Sequence, residues 1–170
     1  MNPPLAGPSE GHAERYVPLI AMTNHEEYIK RAYCLARDAQ ANGDHPFSAL
    51  IVIAGEVVLE CLNTVNTARD VTRHPELDIL RMAATRLSSS DVERATLYTS
   101  TEPCVMCAGA IYWSGVSALV YGCPAETLCE IAGGSFVVSC RDLFSKGKRS
   151  IEVIGPVLPE EGAEIHRGFW

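Results

Sequence analysis

Two short patterns restrict what this chain can fold into more than anything else in it. "GHAERY" at 11–16 and "RHPELDIL" at 73–80 both contain His-x-Glu, and Cys-x-x-Cys occurs once, in "EPCVMC" at 102–107. A catalytic zinc takes three protein ligands and leaves one position open. Cys-x-x-Cys at the start of a helix puts both sulfurs on the first turn, where the helix dipole favours the metal-binding thiolate. The third ligand has to come from a second rigid helix start, so the fold must bring two such starts together.

"RHPELDIL" has the right build. Pro75 suits the first helical position, where its missing N–H costs nothing, which puts His74 at the cap and Glu76 on the first turn. "GHAERY" has no strand before it and no apolar helix after it, so His12 is read as a decoy. The assignment is therefore zinc at His74, Cys104 and Cys107, with Glu76 free to work as a base. Zinc lowers the pKa of a bound water to about 7. Glu76 then takes the water proton, delivers it to a ring nitrogen of a substrate and later to departing ammonia. His-x-Glu followed by Pro-Cys-x-x-Cys is the known pattern of zinc nucleobase deaminases. Three other readings compete: a redox pair, a chance occurrence, and a structural zinc clip with Cys61 or Cys123 as fourth ligand. The combination of motifs, each opening a helix, favours the deaminase site.

The rest of the pattern supplies a scaffold. Thr23 and Glu26 stand at capping-box spacing before Tyr28, Ala32, Leu35, Ala36 and Ala39, predicting a helix that ends near Asn42-Gly43. "FSALIVIAGEVVLECLNT" reads as a hairpin. In "HPELDILRMAATRL", Leu77, Leu80, Ala84 and Leu87 recur on one helical face. "ATLYTST" reads as a buried strand feeding a helix from Pro103 to Gly115. "ALVYGC" and "SIEVIGPVL" are further strands, with weak helical pieces near 125–131 and 139–146 and a terminal helix in "EEGAEIHRGFW". Two opening strands followed by alternating helices and strands predict an α/β fold, a mixed sheet covered on both faces in three α/β/α layers. Residues 1–22, rich in Pro, Gly and Ala, read as an extended arm, and 23–170 as one domain, with no internal repeat.

Composition narrows the setting. A chain of 170 residues can bury one full core. No apolar run approaches the roughly 18 residues of a membrane span, and the first residues lack a signal peptide's features, so a cytoplasmic location is expected. Seven cysteines, an odd number, argue against a disulfide framework; Cys34 and Cys61 are expected to be small buried hydrophobes. A net charge of −7 leans away from nucleic acid. The one basic run, "SKGKRS" at 145–150, reads as a solvated loop.

Over about residues 24–170 the chain resembles the cytidine-deaminase-like superfamily, and "TEPCVMCAGAI" is similar to the branch holding tRNA adenosine deaminases and bacterial-type guanine deaminases. The resemblance implies a five-stranded sheet, zinc at His74, Cys104 and Cys107, Glu76 as proton shuttle, and a homodimer, domain-swapped in some guanine deaminases. "HPFSALIV", "LNTVNTARDVTRH" and "CAGAIYWSGVSALVYG" look like guanine-type segments. By that likeness Asn63 bonds the substrate base, and Phe47 and Trp113 line its pocket; the plain alternatives are a turn amide and two core aromatics. The C-terminal Phe169-Trp170 either closes over the base, as in guanine-type relatives, or packs on the protein's own surface. Three features depart from the pattern. Pro75 replaces the usual Ala. "IAGGSFVV" carries no acid where guanine deaminases have one, leaving Glu130 or Glu126 upstream, with Glu130 a candidate second proton shuttle. The chain also lacks the basic tail of tRNA-acting relatives. The expected activity is zinc-dependent hydrolytic deamination of a small purine, guanine or guanosine first. A tRNA adenosine deaminase, a cytosine or cytidine deaminase, and a non-catalytic zinc-stabilised binding module are the alternatives.

Overall fold

The computed structural model describes residues 24–134 and 136–170, so the N-terminal arm, with His12 and Thr23, lies outside the described residues. Five strands form one mixed sheet in the order β2-β1-β3-β4-β5: β1 Ser48–Ile53, β2 Glu56–Leu62, β3 Thr96–Thr101, β4 Ala118–Cys123 and β5 Glu152–Ile154. β1 runs antiparallel to both β2 and β3, whereas β3, β4 and β5 are parallel. The hairpin turns on Ala54-Gly55 alone, both at positive φ (52° and 85°), the twist-matched two-residue loop; Glu56 already belongs to β2.

Strand alternation decides which face each helix covers. Leu50, Val52, Tyr98 and Val120 meet α1 (His25–Ala41) and α8 (Pro159–Arg167) on one side. Ala49, Ile51, Leu97 and Leu119 meet α3 (Pro75–Arg86), α5 (Val105–Ser114) and α7 (Cys140–Phe144) on the other. The result is the expected three-layer α/β/α domain. Tyr33 of α1 is buried between Gly122 and Gly162 and donates to the Leu158 carbonyl at 2.9 Å. A Cβ at Gly122 would lie 2.6 Å from the Ser100 carbonyl oxygen, so only glycine admits this close approach. Among the described residues no helix is long and apolar enough to cross a membrane.

Several local expectations change. α1 is capped at Asn24, whose side chain makes no cap bond, and Asn42 and Gly43 end it as predicted. α3 buries Ile79, Leu80 and Ala83, whereas Leu77 is only partly buried and Ala84 is exposed. α5 starts at Val105 with Cys104 as its cap, so Pro103 precedes the helix instead of opening it. Cys34 is exposed on α1 instead of buried. Three short helices interrupt stretches read as loop or weak helix: α2 (Val65–Ala68), α4 (Ser89–Glu93) and α6 (Ala125–Ala132). α4 has a complete Ser88/Asp91 capping box.

Candidate metal centre and its pocket

Register places the site. Ser48 pairs with Leu62, Ala49 with Thr99, and Thr101 with Cys123. Phe47 before β1, Asn63 after β2, Glu102 after β3 and Pro124 after β4 therefore gather at one end of the sheet. That end lies beyond the C-termini of β3 and β4, where open α/β sheets hold their ligands. α3 and α5 both start there.

The two helix starts meet. His74 caps α3 in extended conformation (φ −76°, ψ 140°), and Cys104 caps α5 (φ −64°, ψ 169°). His74 Nδ1 lies 3.5 Å from Cys107 Sγ and 3.8 Å from Cys104 Sγ. All three ligand atoms fall within 4.8 Å of one another. Tetrahedral zinc with arms of about 2.1–2.3 Å sets its ligand atoms about 3.6–3.8 Å apart, so one imidazole nitrogen and two sulfurs fit the ion in kind and in spacing. Among the described residues this is the one group of three or more such side chains; neither Cys61 nor Cys123 joins it as a fourth ligand.

The surroundings prepare the ligands. A hydrogen bond from Cys107, helped by His74, pulls the Cys104 thiol down to about 4, so Cys104 is a thiolate. Cys107 is held protonated by that same bond and by burial. Its proton is released when metal enters. Glu76 is 5% exposed on the first turn of α3, with Oε2 accepting from Cys107 Sγ at 3.4 Å, and burial pushes its carboxyl up to about 7. His74 is raised, chiefly by its bond with Cys104.

Beside these groups opens a cavity of about 490 Å³, within the range of small-molecule sites. Its walls are mostly apolar: Phe47, Leu128, Phe136, Val137, Val138 and Trp170. No Lys or Arg among the described residues lines it. Phe47 stacks on His74 at 6.3 Å and 18°. Phe169 meets Trp170 edge-on at 4.8 Å, and both rings pack on His45. Asn63 is buried; its Oδ1 accepts from the Val65 N–H at 3.0 Å, while its Nδ2 has no partner. Trp113 is elsewhere. It is 84% exposed near the C-terminal end of α5, on a separate cleft with Tyr112 and Leu143. Glu130 is exposed on α6, outside the cavity lining.

His45 and Glu102 are among the lining residues that escaped the sequence reading. His45 sits among Phe47, Phe169 and Trp170, its pKa lowered by burial and by the nearby His74. Glu102, 6% exposed, immediately precedes Pro103-Cys104. An acid between a buried strand and a metal-binding helix was a readable signal for Glu102. His45, in a turn, carried none.

Comparison with known proteins agrees with this geometry. The family profile for the cytidine and deoxycytidylate deaminase zinc-binding region matches residues 22–123. The chain is 34% identical over 148 residues to the probable cytosine deaminase of Schizosaccharomyces pombe, covering 84% of this chain and 90% of that one. It is 42% identical over 108 residues to the guanine deaminase of Bacillus subtilis, covering 63% and 69%. A structure solved in work on A-to-I editing by tRNA:A34 deaminases superposes with a TM-score of 0.68 at 30% identity, covering 82% of this chain and 98% of that one. The chain thus belongs to the cytidine and deoxycytidylate deaminase family, as a zinc-binding hydrolytic deaminase.

Proposed function

We propose that this deaminase acts on a small purine, guanine or guanosine first. The observation that carries the reading is the apolar, aromatic-walled cavity of about 490 Å³ with no Lys or Arg lining it. Such walls suit a neutral base and offer nothing to a phosphate backbone. The 42% identity to a guanine deaminase supports guanine among the bases.

His74 and the two thiolates would hold the ion, which when bound supplies a Lewis acid and a water of lowered pKa. Glu76 is the proton carrier: a buried carboxyl held near 7 takes and returns protons at neutral pH. It relays the water proton to a ring nitrogen and then to leaving ammonia. Phe47 stacks on the base. Asn63 has an unpartnered Nδ2 while Oδ1 already accepts from Val65, so its amide donates to an acceptor on the base edge. Trp170, backed by Phe169, belongs to the outer wall. Trp113 and Glu130 have no place in this chain's own cavity. The reading includes a homodimer, supported by the exposed Trp113 beside an apolar cleft. It also includes a cytoplasmic location, supported by seven free thiols.

Ammonia release from zinc-loaded protein tests the substrate. The panel is guanine, guanosine, adenine, adenosine, cytosine, cytidine and a tRNA anticodon stem. Turnover of a guanine compound is expected. Turnover of only the tRNA stem, or only pyrimidines, would overturn the purine reading while leaving the deaminase chemistry.

A further inference from the structure

Glu102 is a buried acid that neither the metal nor the proton relay uses. Its carboxylate accepts three hydrogen bonds: Oε2 from the Ala125 N–H at 3.2 Å, and Oε1 from the Cys140 N–H at 2.9 Å and the Ser139 hydroxyl at 3.2 Å. Its own N–H donates to the Cys123 carbonyl at 2.8 Å. Ala125 opens α6 and Cys140 opens α7. Between those helices runs the stretch carrying Phe136, Val137 and Val138, apolar residues that line the same cavity as His74 and Cys104. One side chain, two residues before Cys104, therefore joins the metal-binding loop to both ends of the segment that carries them.

We propose that Glu102 is a positioning residue that sets substrate capture by clamping the 125–140 segment against the metal-binding loop. The proposal rests on this cavity being the substrate site. Bonds from N–H and O–H donors to a carboxylate are stronger than neutral ones, and in this buried place losing one strands a donor. Glu102→Gln is nearly isosteric, but it turns one acceptor into an NH₂ facing donors. The clamp then opens on one side without emptying the space. Glu102 makes none of these bonds to His74, Glu76, Cys104 or Cys107, so the metal ligands and Glu76 keep theirs.

The test compares full-length, zinc-loaded wild type and Glu102→Gln by metal content, steady-state kinetics on the accepted substrate, and amide hydrogen exchange. The expected result is unchanged zinc, kcat within about threefold, KM raised about tenfold, and exchange about tenfold faster over 125–141 but unchanged over 74–86. Unchanged KM and exchange would overturn the proposal, as would loss of zinc with a matching fall in kcat. Ser139→Ala removes one donor and leaves both backbone bonds. It should raise KM about threefold, and it decides the matter if Glu102→Gln fails to fold. Should the wild type turn over none of the panel, the purine reading fails separately. Exchange then judges the clamp alone: acceleration confined to 125–141 supports it, and uniform or absent acceleration overturns it.

Discussion

The inner and outer halves of the cavity are built differently. The inner half is the caps His74 and Cys104 with Glu76 and Cys107 on the first turns of α3 and α5, both packed on the sheet through Ile79, Ala83, Ala108 and Ile111. The outer half is Phe136 to Val138 between two short helices, together with Trp170, which Phe169 backs, beyond the end of α8. Helix starts anchored in a core hold atoms to the few tenths of an ångström that metal binding demands. Short segments tied by a handful of hydrogen bonds change shape at little cost to the core. On the proposed function, the chemistry would reside where helix starts are anchored in the core, and the choice of substrate on the less anchored segments.

If the division holds, damage to the inner half abolishes chemistry and damage to the outer half only weakens binding. His74→Ala should give the largest effect: zinc falls well below one per chain and turnover drops beneath detection, measured by metal analysis beside ammonia release. Retained zinc would move the metal centre elsewhere.

The link between the halves should respond to acid. Buried His166 bonds Thr101 at 2.8 Å through Nε2, and its carbonyl accepts the N–H groups of Phe169 and Trp170. Burial lowers its pKa to about 4. Its neutral form contributes stability fully present above the unfolded value near 6.5 and lost as pH falls from there towards 4, up to about 3 kcal/mol. Denaturant titrations at pH 7 and pH 4.5 should show wild type losing more stability than His166→Gln; equal losses would remove His166 from the account.

On the cavity wall beside His74, Phe47→Ala should raise KM about tenfold with kcat little changed, the usual worth of a base-stacking ring. Trp113→Ala should move KM least, within about twofold, because its ring faces the other cleft. A tenfold rise there would mean that a second copy brings this ring into the cavity.

Legibility in the sequence followed the same line. The hairpin, both motif helices and the strand before α5 were readable, because burial on both faces makes the strands near-continuous apolar runs and a helix on the core repeats its apolar residues with a period of 3.6. α3 was misread by about one residue in phase. Its buried face opens with Pro75, Glu76 and Asp78, and Asp78 is paired with Arg73 and Arg81, both at 3.0 Å. Functional and ion-paired side chains occupy places where apolar ones would have marked the face. The wall around 136–138 and the role of Glu102 were not readable. They depend on which segments meet across the cavity, and no local pattern encodes that meeting. Trp113 shows the converse: an aromatic in a familiar-looking stretch, placed on a different surface.

The most direct test of the account is zinc content and turnover measured together for Glu76→Gln. The account predicts one zinc per chain, as in wild type, with kcat reduced about a thousandfold. Wild-type turnover in that variant, or loss of its zinc, would contradict the assignment of Glu76 as the proton carrier beside a three-ligand metal centre.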